Sequence, residues 1–302
     1  MDQEKHEKRR WRVDRRVLLR FFLLLLAVFA VLLLYYYVTS LSLRTVHYTL
    51  HAEVRSPIRI VHLSDLHNAQ YGERNKYLVE LVAAQEPDLI FMTGDMLNRD
   101  EDNTAVVTAL ISDLCPVAPI YYGYGNHEKA WEQRFGRDLR PILESAGAVV
   151  VDSDYVDLEI KGTPVRIGGY AGYYPVPHMT TRDKTQQELV LAFAKDYEGT
   201  DRLKLLINHI PTSWVDWGYV NKYSVDIVFS GHFHGGVMRI PILDQGLYAP
   251  YVGWFPKFSK GVCTGSRASC VLSAGLGNEY HIPRINNPPE IVVVDLVPRE
   301  QG

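Results

Sequence analysis

The sequence predicts an α/β fold of two packed β-sheets flanked by helices, carried behind one N-terminal helix of membrane length. Three observations predict it: an uncharged run of eighteen residues near the N-terminus, a first half in which apolar strands alternate with helical stretches, and a β-rich remainder. The 302 residues are 47% hydrophobic and 22% charged, enough apolar material for a sizeable core and too much for a disordered chain. A net charge of −3 argues against a nucleic-acid partner, and three cysteines are too few for a disulfide scaffold.

Residues 1–20 hold eight Lys/Arg against four acids, so this tail carries +4 and residues 21–302 carry −7. The tail meets FFLLLLAVFAVLLLYYYV (21–38), which at 1.5 Å per residue nearly spans a hydrocarbon core of ~30 Å once Val17–Leu19 extend it past a snorkelling Arg20. Tyr35, Tyr36 and Tyr37 suit an interfacial aromatic belt. A cleaved signal peptide is the competing reading, but its apolar region runs only about 7–15 residues and ends at a small-x-small site, which Val38-Thr39-Ser40 matches poorly. The expected division is a basic cytoplasmic tail (1–16), a transmembrane anchor (17–40), a connector (41–57) and one folded domain (58–302). The positive-inside rule leaves the N-terminus in the cytoplasm and the domain outside, at the cell membrane.

Within the domain, Ile58–Ser64, Asp88–Thr93, Ile120–Tyr124, Leu203–Asn208 and Val225–Ser230 read as buried strands. Helical stretches are predicted at Asn75–Gln85, Thr104–Leu114, Glu128–Ala146 (interrupted near Gly136 and Pro141), Asp183–Tyr197 and Thr212–Lys222. Alternation of this kind implies parallel pairing through right-handed crossovers. Short runs from Val149 to Tyr170 suggest hairpins. The mostly β tail from His234 to Val297 implies the second sheet. Cys263 and Cys270 flank Thr264-Gly265-Ser266, a hairpin turn across which they could face one another, as a disulfide or as two thiols.

Five strands end in polar clusters: Asp65-Leu66-His67, Gly94-Asp95, Gly125-Asn126-His127-Glu128, His209, and Gly231-His232-Phe233-His234. Ligands of open α/β sheets bind outside the carboxyl ends of the strands. Convergence there would gather two Asp, one Asn and four or five His, an inventory that suits Zn, Fe or Mn. Taken singly, each cluster is an ordinary cap or turn. The two histidines of G-H-F-H are expected on one side of an extended segment.

In this order, D-x-H, G-D, G-N-H-E, H and G-H-x-H resemble the calcineurin-like metallophosphoesterase superfamily, from about Ile58 to the C-terminus. GHFHGGVMRIP, LYAP, AGLG and PRINNPPEI are similar to its membrane-associated bacterial branch, which includes proteins like the UDP-2,3-diacylglucosamine pyrophosphatases. The resemblance implies a four-layer αββα fold and two divalent ions (Mn, Fe or Zn). Asp65, His67 and His234 would hold one ion, Asn126, His209 and His232 the other, with Asp95 and a hydroxide bridging them. It makes His127 a non-ligand that stabilises the transition state or protonates the leaving oxygen. Glu128 stands where many relatives have Asp, in the role of orienting that imidazole. The implied reaction is hydrolysis of a phosphodiester or pyrophosphate by metal-activated hydroxide, on a substrate that could be lipid-linked or of the cell envelope. The alternatives are a sugar-nucleotide or lipid A-type pyrophosphatase at the cytoplasmic face and a non-catalytic metal-binding module. Two ions neutralise the phosphate oxygens and clamp an in-line displacement, so no side-chain nucleophile is needed.

His62 reads as a hydrogen-bonded core histidine, and Arg239 and Arg284 as structural ion pairs before phosphate ligands. His178 and His281 read as surface residues. Trp214, Trp217, Tyr219 and the stretch Tyr248–Phe258 could be core or an apolar shelf for lipid.

Overall fold

The computed structural model describes residues 14–40, 42–174, 184–278 and 283–299; His178, His281 and most of the basic tail lie outside these. Helix α1 (Arg15–Ser40) is solvent-facing along its apolar length, and its Arg15–Val38 stretch has the length and composition of a single-pass anchor or a signal segment. The domain then runs β1 (Arg44–Ala52), β2 (Ile58–Leu63), α2 (Lys76–Ala83), β3 (Leu89–Met92), α3 (Ala105–Leu114), β4 (Ile120–Gly123), α4 (Asn126–Phe135) and α5 (Arg140–Ala146). It continues β5 (Ala148–Val151), β6 (Asp154–Ile160), β7 (Thr163–Gly169), α6 (Lys184–Glu198), β8 (Leu203–Ile207), α7 (Thr212–Val215) and β9 (Ile227–Ser230). Four two-residue strands follow, β10 (Arg239–Ile240), β11 (Gln245–Gly246), β12 (Tyr248–Ala249) and β13 (Gly253–Trp254). The chain closes with β14 (Gly261–Thr264), β15 (Ser269–Leu272) and β16 (Glu290–Pro298).

One sheet has the order β1-β16-β2-β3-β4-β5 and the other β14-β15-β9-β8-β7-β6. The predicted parallel core is present in both: β2, β3, β4 and β5 run parallel, as do β7, β8, β9 and β15. Side-chain alternation along β2 explains the layering. Ile58 and Ile60 face Val165, Ile167, Leu205, Ile207 and Phe229 of the other sheet, while Val61 and Leu63 join α2 and α3 in the outer core. A third core packs α6 and α7 on the second sheet. Each fully buried Ile, Leu or Phe contributes about 1.5–3 kcal/mol, so the four layers rest mainly on these three apolar interfaces.

Three expectations change. The segment 41–57 is not only a connector: β1 runs through it, with Val46, Tyr48, Leu50 and Ala52 turned inward and paired parallel to β16 from Arg44↔Glu290 to Ala52↔Pro298. The second sheet draws four strands from the middle of the chain and only β14 and β15 from the tail. The apolar run IVVVDLV instead enters the first sheet antiparallel to β2, where it is covered on both faces. Finally, Thr212–Lys222 is not one helix, because Gly218 takes φ 72° and separates α7 from a single 3-10 turn at Tyr219–Asn221.

Candidate metal centre

The predicted site residues converge at the carboxyl ends of β2, β3, β4, β8 and β9. Their backbone is unusual. Asp65 (φ 53°), His67 (49°), Asp95 (52°), His232 (69°) and His234 (47°) all occupy the left-handed region, which costs a non-glycine residue energy and persists where surrounding contacts impose it. The strand ends supply those contacts: Asp65 N–H donates to Gly94 O (3.0 Å) and His67 N–H to Asp95 O (3.1 Å). Gly231 is required by close approach, since a Cβ there would collide with Ser64 Oγ and Asp65 Oδ2. The G-H-F-H segment is therefore not extended as expected. It coils tightly, and the coil turns both imidazoles toward Asp65 and Asp95.

Two carboxylates sit at the centre. Asp65 accepts from Ser64 Oγ (2.6 Å) and His232 N–H (3.0 Å), and its Oδ1 lies 3.5 Å from His234 Nε2 and 3.9 Å from His209 Nε2. Asp95 accepts from His127 N–H (2.8 Å), and its Oδ2 lies 3.0 Å from His209 Nε2, without hydrogen-bond alignment. Asp65, His67 and His234 form one group able to hold a metal ion, and Asp95, His209 and His232 another. All of these side chains are buried.

Hydrogen bonds on the far side of the rings fix which nitrogen faces the cluster. His209 Nδ1 meets Thr93 O (2.8 Å), His67 Nδ1 meets Asn98 Oδ1 (3.1 Å) and His234 Nδ1 meets Gly277 O (3.3 Å). A backbone carbonyl can only accept, so the neutral His209 and His234 carry their proton on Nδ1 and present the Nε2 lone pair inward, and the Asn98 amide oxygen sets His67 alike. His127 is reversed. Its Nδ1 accepts from Arg99 N–H (3.2 Å), so the neutral ring carries its proton on Nε2, 3.9 Å from Asp95 Oδ2, and offers a donor instead of a ligand lone pair. Although His67, Asp95 and His127 also lie within metal-binding reach of one another, this tautomer sets His127 apart.

The donor set passes a direct test of fit to a cation. Among buried side-chain atoms without a hydrogen-bond partner are His67 Nε2, Asn126 Oδ1, His209 Nε2 and His232 Nε2. His67 Nε2, Asn126 Oδ1 and His232 Nε2 are left bare at about 1–3 kcal/mol each, whereas His209 Nε2 lies beside the Asp95 carboxylate; all four belong to the predicted ligands. The electrostatics agree. Burial pushes His67 and His234 down to about 3 and His232 well below its ordinary value, so these rings stay neutral. Burial works against His209 too, but the Asp95 charge outweighs it and lifts His209 to about 9. Burial raises Asp65, whereas Asp95, also buried, is held far below the usual carboxylate range chiefly by His209. In the metal-free chain a proton on His209 thus supplies positive charge that the two carboxylates demand.

Glu128 does not orient His127. Its Oε2 accepts from Asp95 N–H (2.8 Å) and Gly125 N–H (2.8 Å), and its Oε1 from Met96 N–H (2.9 Å) and Tyr122 OH (2.6 Å). Those four bonds use all the acceptor capacity of a carboxylate. It staples the Gly94-Asp95-Met96 turn to the start of α4.

Several supporting groups carry no local signal in the sequence: Thr93 O, Asn98 and Gly277 O behind the rings, and Tyr251, whose ring stacks on His232 at 5.1 Å. His62 is the core histidine expected, with Nε2 2.8 Å from Thr93 Oγ1 and its ring edge-on to Phe229. Arg239 pairs with Asp244. Arg284 is buried and donates mainly to backbone carbonyls, among them Gly277 O (2.6 Å) behind His234. The aromatic group divides: Trp214 and Tyr219 are core, while Tyr248, Tyr251, Trp254 and Phe255 are exposed. A cavity of about 640 Å³ opens beside the cluster, lined by His67, His127, Asn278 and Arg284 and, from the end of α1, by Tyr36 and Ser40.

The calcineurin-like phosphoesterase family model matches residues 58–236, a span that holds the seven predicted ligands and His127. The chain is 28% identical over 241 residues to the uncharacterized metallophosphoesterase YkoQ of Bacillus subtilis, covering 78% of this chain and 83% of that protein. It is 24% identical over 249 residues to the phosphodiesterase YaeI of Escherichia coli, covering 80% of this chain and 83% of that protein. A solved dimetal phosphatase from Danio rerio aligns with a TM-score of 0.39 at 10% identity, over 72% of this chain and 87% of that one.

Proposed function

The chain belongs to the calcineurin-like phosphoesterase family and is a metal-dependent phosphoester hydrolase, and from that premise we propose a membrane-anchored phosphodiesterase or pyrophosphatase working with two divalent ions. Asp65, His67 and His234 would hold one ion, Asn126, His209 and His232 the second, and Asp95 would bridge them. The observation that carries this reading is the pair of buried groups able to hold a metal ion, Asp65-His67-His234 and Asp95-His209-His232, in which His67 Nε2 and His232 Nε2 have no hydrogen-bond partner. Imidazole, amide and carboxylate donors suit Mn, Fe or Zn. When bound, such ions supply hydroxide near neutral pH and neutralise the phosphate oxygens.

The protein's own groups do the rest. Asp95 organises the site through its contacts with His127 N–H and His209. His127, protonated on Nε2, donates toward a phosphoryl or leaving oxygen. Thr93, Asn98 and Gly277 hold the ligand rings in one tautomer, and Glu128 holds the Asp95 turn. The anchor reading is supported by α1 and by the +4 tail, which favours a cytoplasmic N-terminus and an extracytoplasmic domain. Because Tyr36 and Ser40 line the cavity, a lipid-linked or cell-envelope phosphoester would meet the site where the chain leaves the membrane. Nucleic acid is not an expected partner of a domain carrying −7.

The test is hydrolysis of bis-p-nitrophenyl phosphate by the full-length protein in detergent with Mn²⁺, alongside Asp95→Ala and metal analysis by mass spectrometry. Two ions per chain and turnover lost in Asp95→Ala are expected. Turnover equal in the two proteins would overturn the assignment. Protease added to intact cells should digest the domain, and protection would reverse the topology.

A further inference from the structure

Outside α1, twelve large apolar residues are exposed among the described ones, and seven of them fall between Ile242 and Phe255. They crowd two adjacent hairpins. Ile242 (103% exposed) and Leu243 (72%) form the turn between β10 and β11, and Tyr251 (66%), Val252, Trp254 (69%) and Phe255 (57%) surround the turn between β12 and β13. Gln245 Nε2 ties the hairpins together by donating to Pro256 O (2.7 Å). Folding does not favour these residues here: Ile242 (φ 71°), Tyr251 (62°) and Phe255 (55°) hold left-handed turn positions that glycine or asparagine fills at lower cost. Contiguous exposed apolar surface of this kind marks an interaction site.

The position of the patch identifies its occupant. Arg239 N–H, at the base of the first hairpin, donates to Ile285 O (3.0 Å), and the neighbouring Asn286 Oδ1 accepts from Tyr35 OH (2.9 Å) near the end of α1. Hydrogen bonds thus link the base of the first hairpin, through Ile285 and Asn286, to the end of the apolar helix, and Ile285 on this link is itself exposed. At the other margin of the patch Tyr251 stacks on His232, so the metal cluster lies between the helix end and the hairpin tips. The only acid from Arg239 to Lys260 is Asp244, which is paired with Arg239, while Lys257 is exposed. Tyrosine and tryptophan around an apolar tip, with one exposed lysine, Lys257, beside it and its single acid paired, match a bilayer interface.

We propose that the hairpins Arg239–Gly246 and Tyr248–Trp254 dock on the bilayer that α1 enters, forming a second membrane contact that turns the mouth of the metal site toward the lipid headgroups. This rests on the membrane-anchored reading. A single helix fixes the distance of a domain from the membrane but leaves its tilt free, and a second contact removes that freedom.

The test uses the full-length protein reconstituted in phosphatidylcholine vesicles with a minority of phosphatidylglycerol. Flotation on a density gradient reports the anchor. The fluorescence difference between wild type and Trp254→Phe isolates Trp254, which is then quenched from either side, by aqueous iodide or by lipid brominated high on the acyl chain. Brominated lipid is expected to reduce this signal roughly twofold, with iodide nearly without effect. In Ile242→Asp/Leu243→Asp the two quenchers should exchange roles, while hydrolysis of bis-p-nitrophenyl phosphate in detergent is unchanged. Protein that fails to float would sink the anchor and this contact together. Floating protein whose Trp254 answers to iodide and ignores bromine overturns the contact alone. Shielding from both quenchers in a dimer would assign the patch to a second copy and overturn it as well.

Discussion

Replacing Glu128 by glutamine preserves the shape of the side chain and removes part of its acceptor capacity. In the native protein the carboxylate accepts four hydrogen bonds, three of them from backbone N–H groups of Asp95, Met96 and Gly125 and one from Tyr122 OH. With the amide oxygen at the Oε2 position, Asp95 and Gly125 keep an acceptor. The amide nitrogen then faces Met96 N–H, while Tyr122 can turn its hydroxyl to accept. One buried backbone donor is left bare, at about 1–3 kcal/mol, and the two bonds from Asp95 and Gly125 N–H lose the advantage of an ionised acceptor, about 1 kcal/mol each. The expected destabilisation is about 3–5 kcal/mol, a large share of the 5–15 kcal/mol typical of folded domains. For a domain of this size that corresponds to a fall in Tm of roughly 6–20 °C. Because the same carboxylate secures the turn bearing Asp95, metal affinity should weaken by about 10–100-fold. The pH profile of the activity that remains in excess metal should not move, since Glu128 has no acceptor left for His127. Thermal unfolding by circular dichroism, metal titration and the pH profile read the three quantities. Unchanged melting and metal content together with a displaced pH limb would refute the staple and return Glu128 to orienting His127.

Acid should destabilise the fold partly through His62, whose pKa burial pushes down to about 3 from 6.5. Between those values the unfolded chain binds a proton that the folded chain refuses. Stability is therefore full above pH 6.5 and lost as pH falls toward 3, at about 1.4 kcal/mol per pH unit. Urea midpoints for His62→Gln, which keeps a hydrogen-bonding group for Thr93, should show a shallower slope than wild type over this range. Removing metal with a chelator should lower Tm, and Mn²⁺ at about 100 times its Kd should restore about 2.7 kcal/mol; Asp95→Ala should not respond. Cys263 and Cys270 are register partners across β14 and β15 with free thiols, and burial pushes Cys270 up to about 12. A maleimide at neutral pH should modify the exposed Cys115 and spare Cys270 until the protein unfolds.

The cluster was legible in the sequence because each of its residues directly follows a buried apolar strand, and parallel sheets bring such ends together. The strand β1 was legible in principle too, in the alternation of Val46, Tyr48, Leu50 and Ala52. What it pairs with was not, since β16 lies more than two hundred residues away. The bonding of Glu128 is hidden from the sequence for a similar reason. Sequence places it beside His127, but a side chain on the first turn of a helix reaches whatever the next strand end offers, here the N–H groups of Asp95 and Met96.

The sequence by itself determined the apolar helix, the parallel strands and the residue types that meet at their ends, because these follow from local periodicity and from the rule that parallel strands share one functional edge. Only the tertiary structure decided which imidazole nitrogen faces the cluster, which histidine stands apart as a donor, and that the segment bonded to the base of the first hairpin also meets the end of the helix. Those outcomes hang on hydrogen bonds such as His209 to Thr93 O and Tyr35 to Asn286, formed between residues 116 and 251 positions apart. No local pattern encodes such partners; they are chosen when the layers pack.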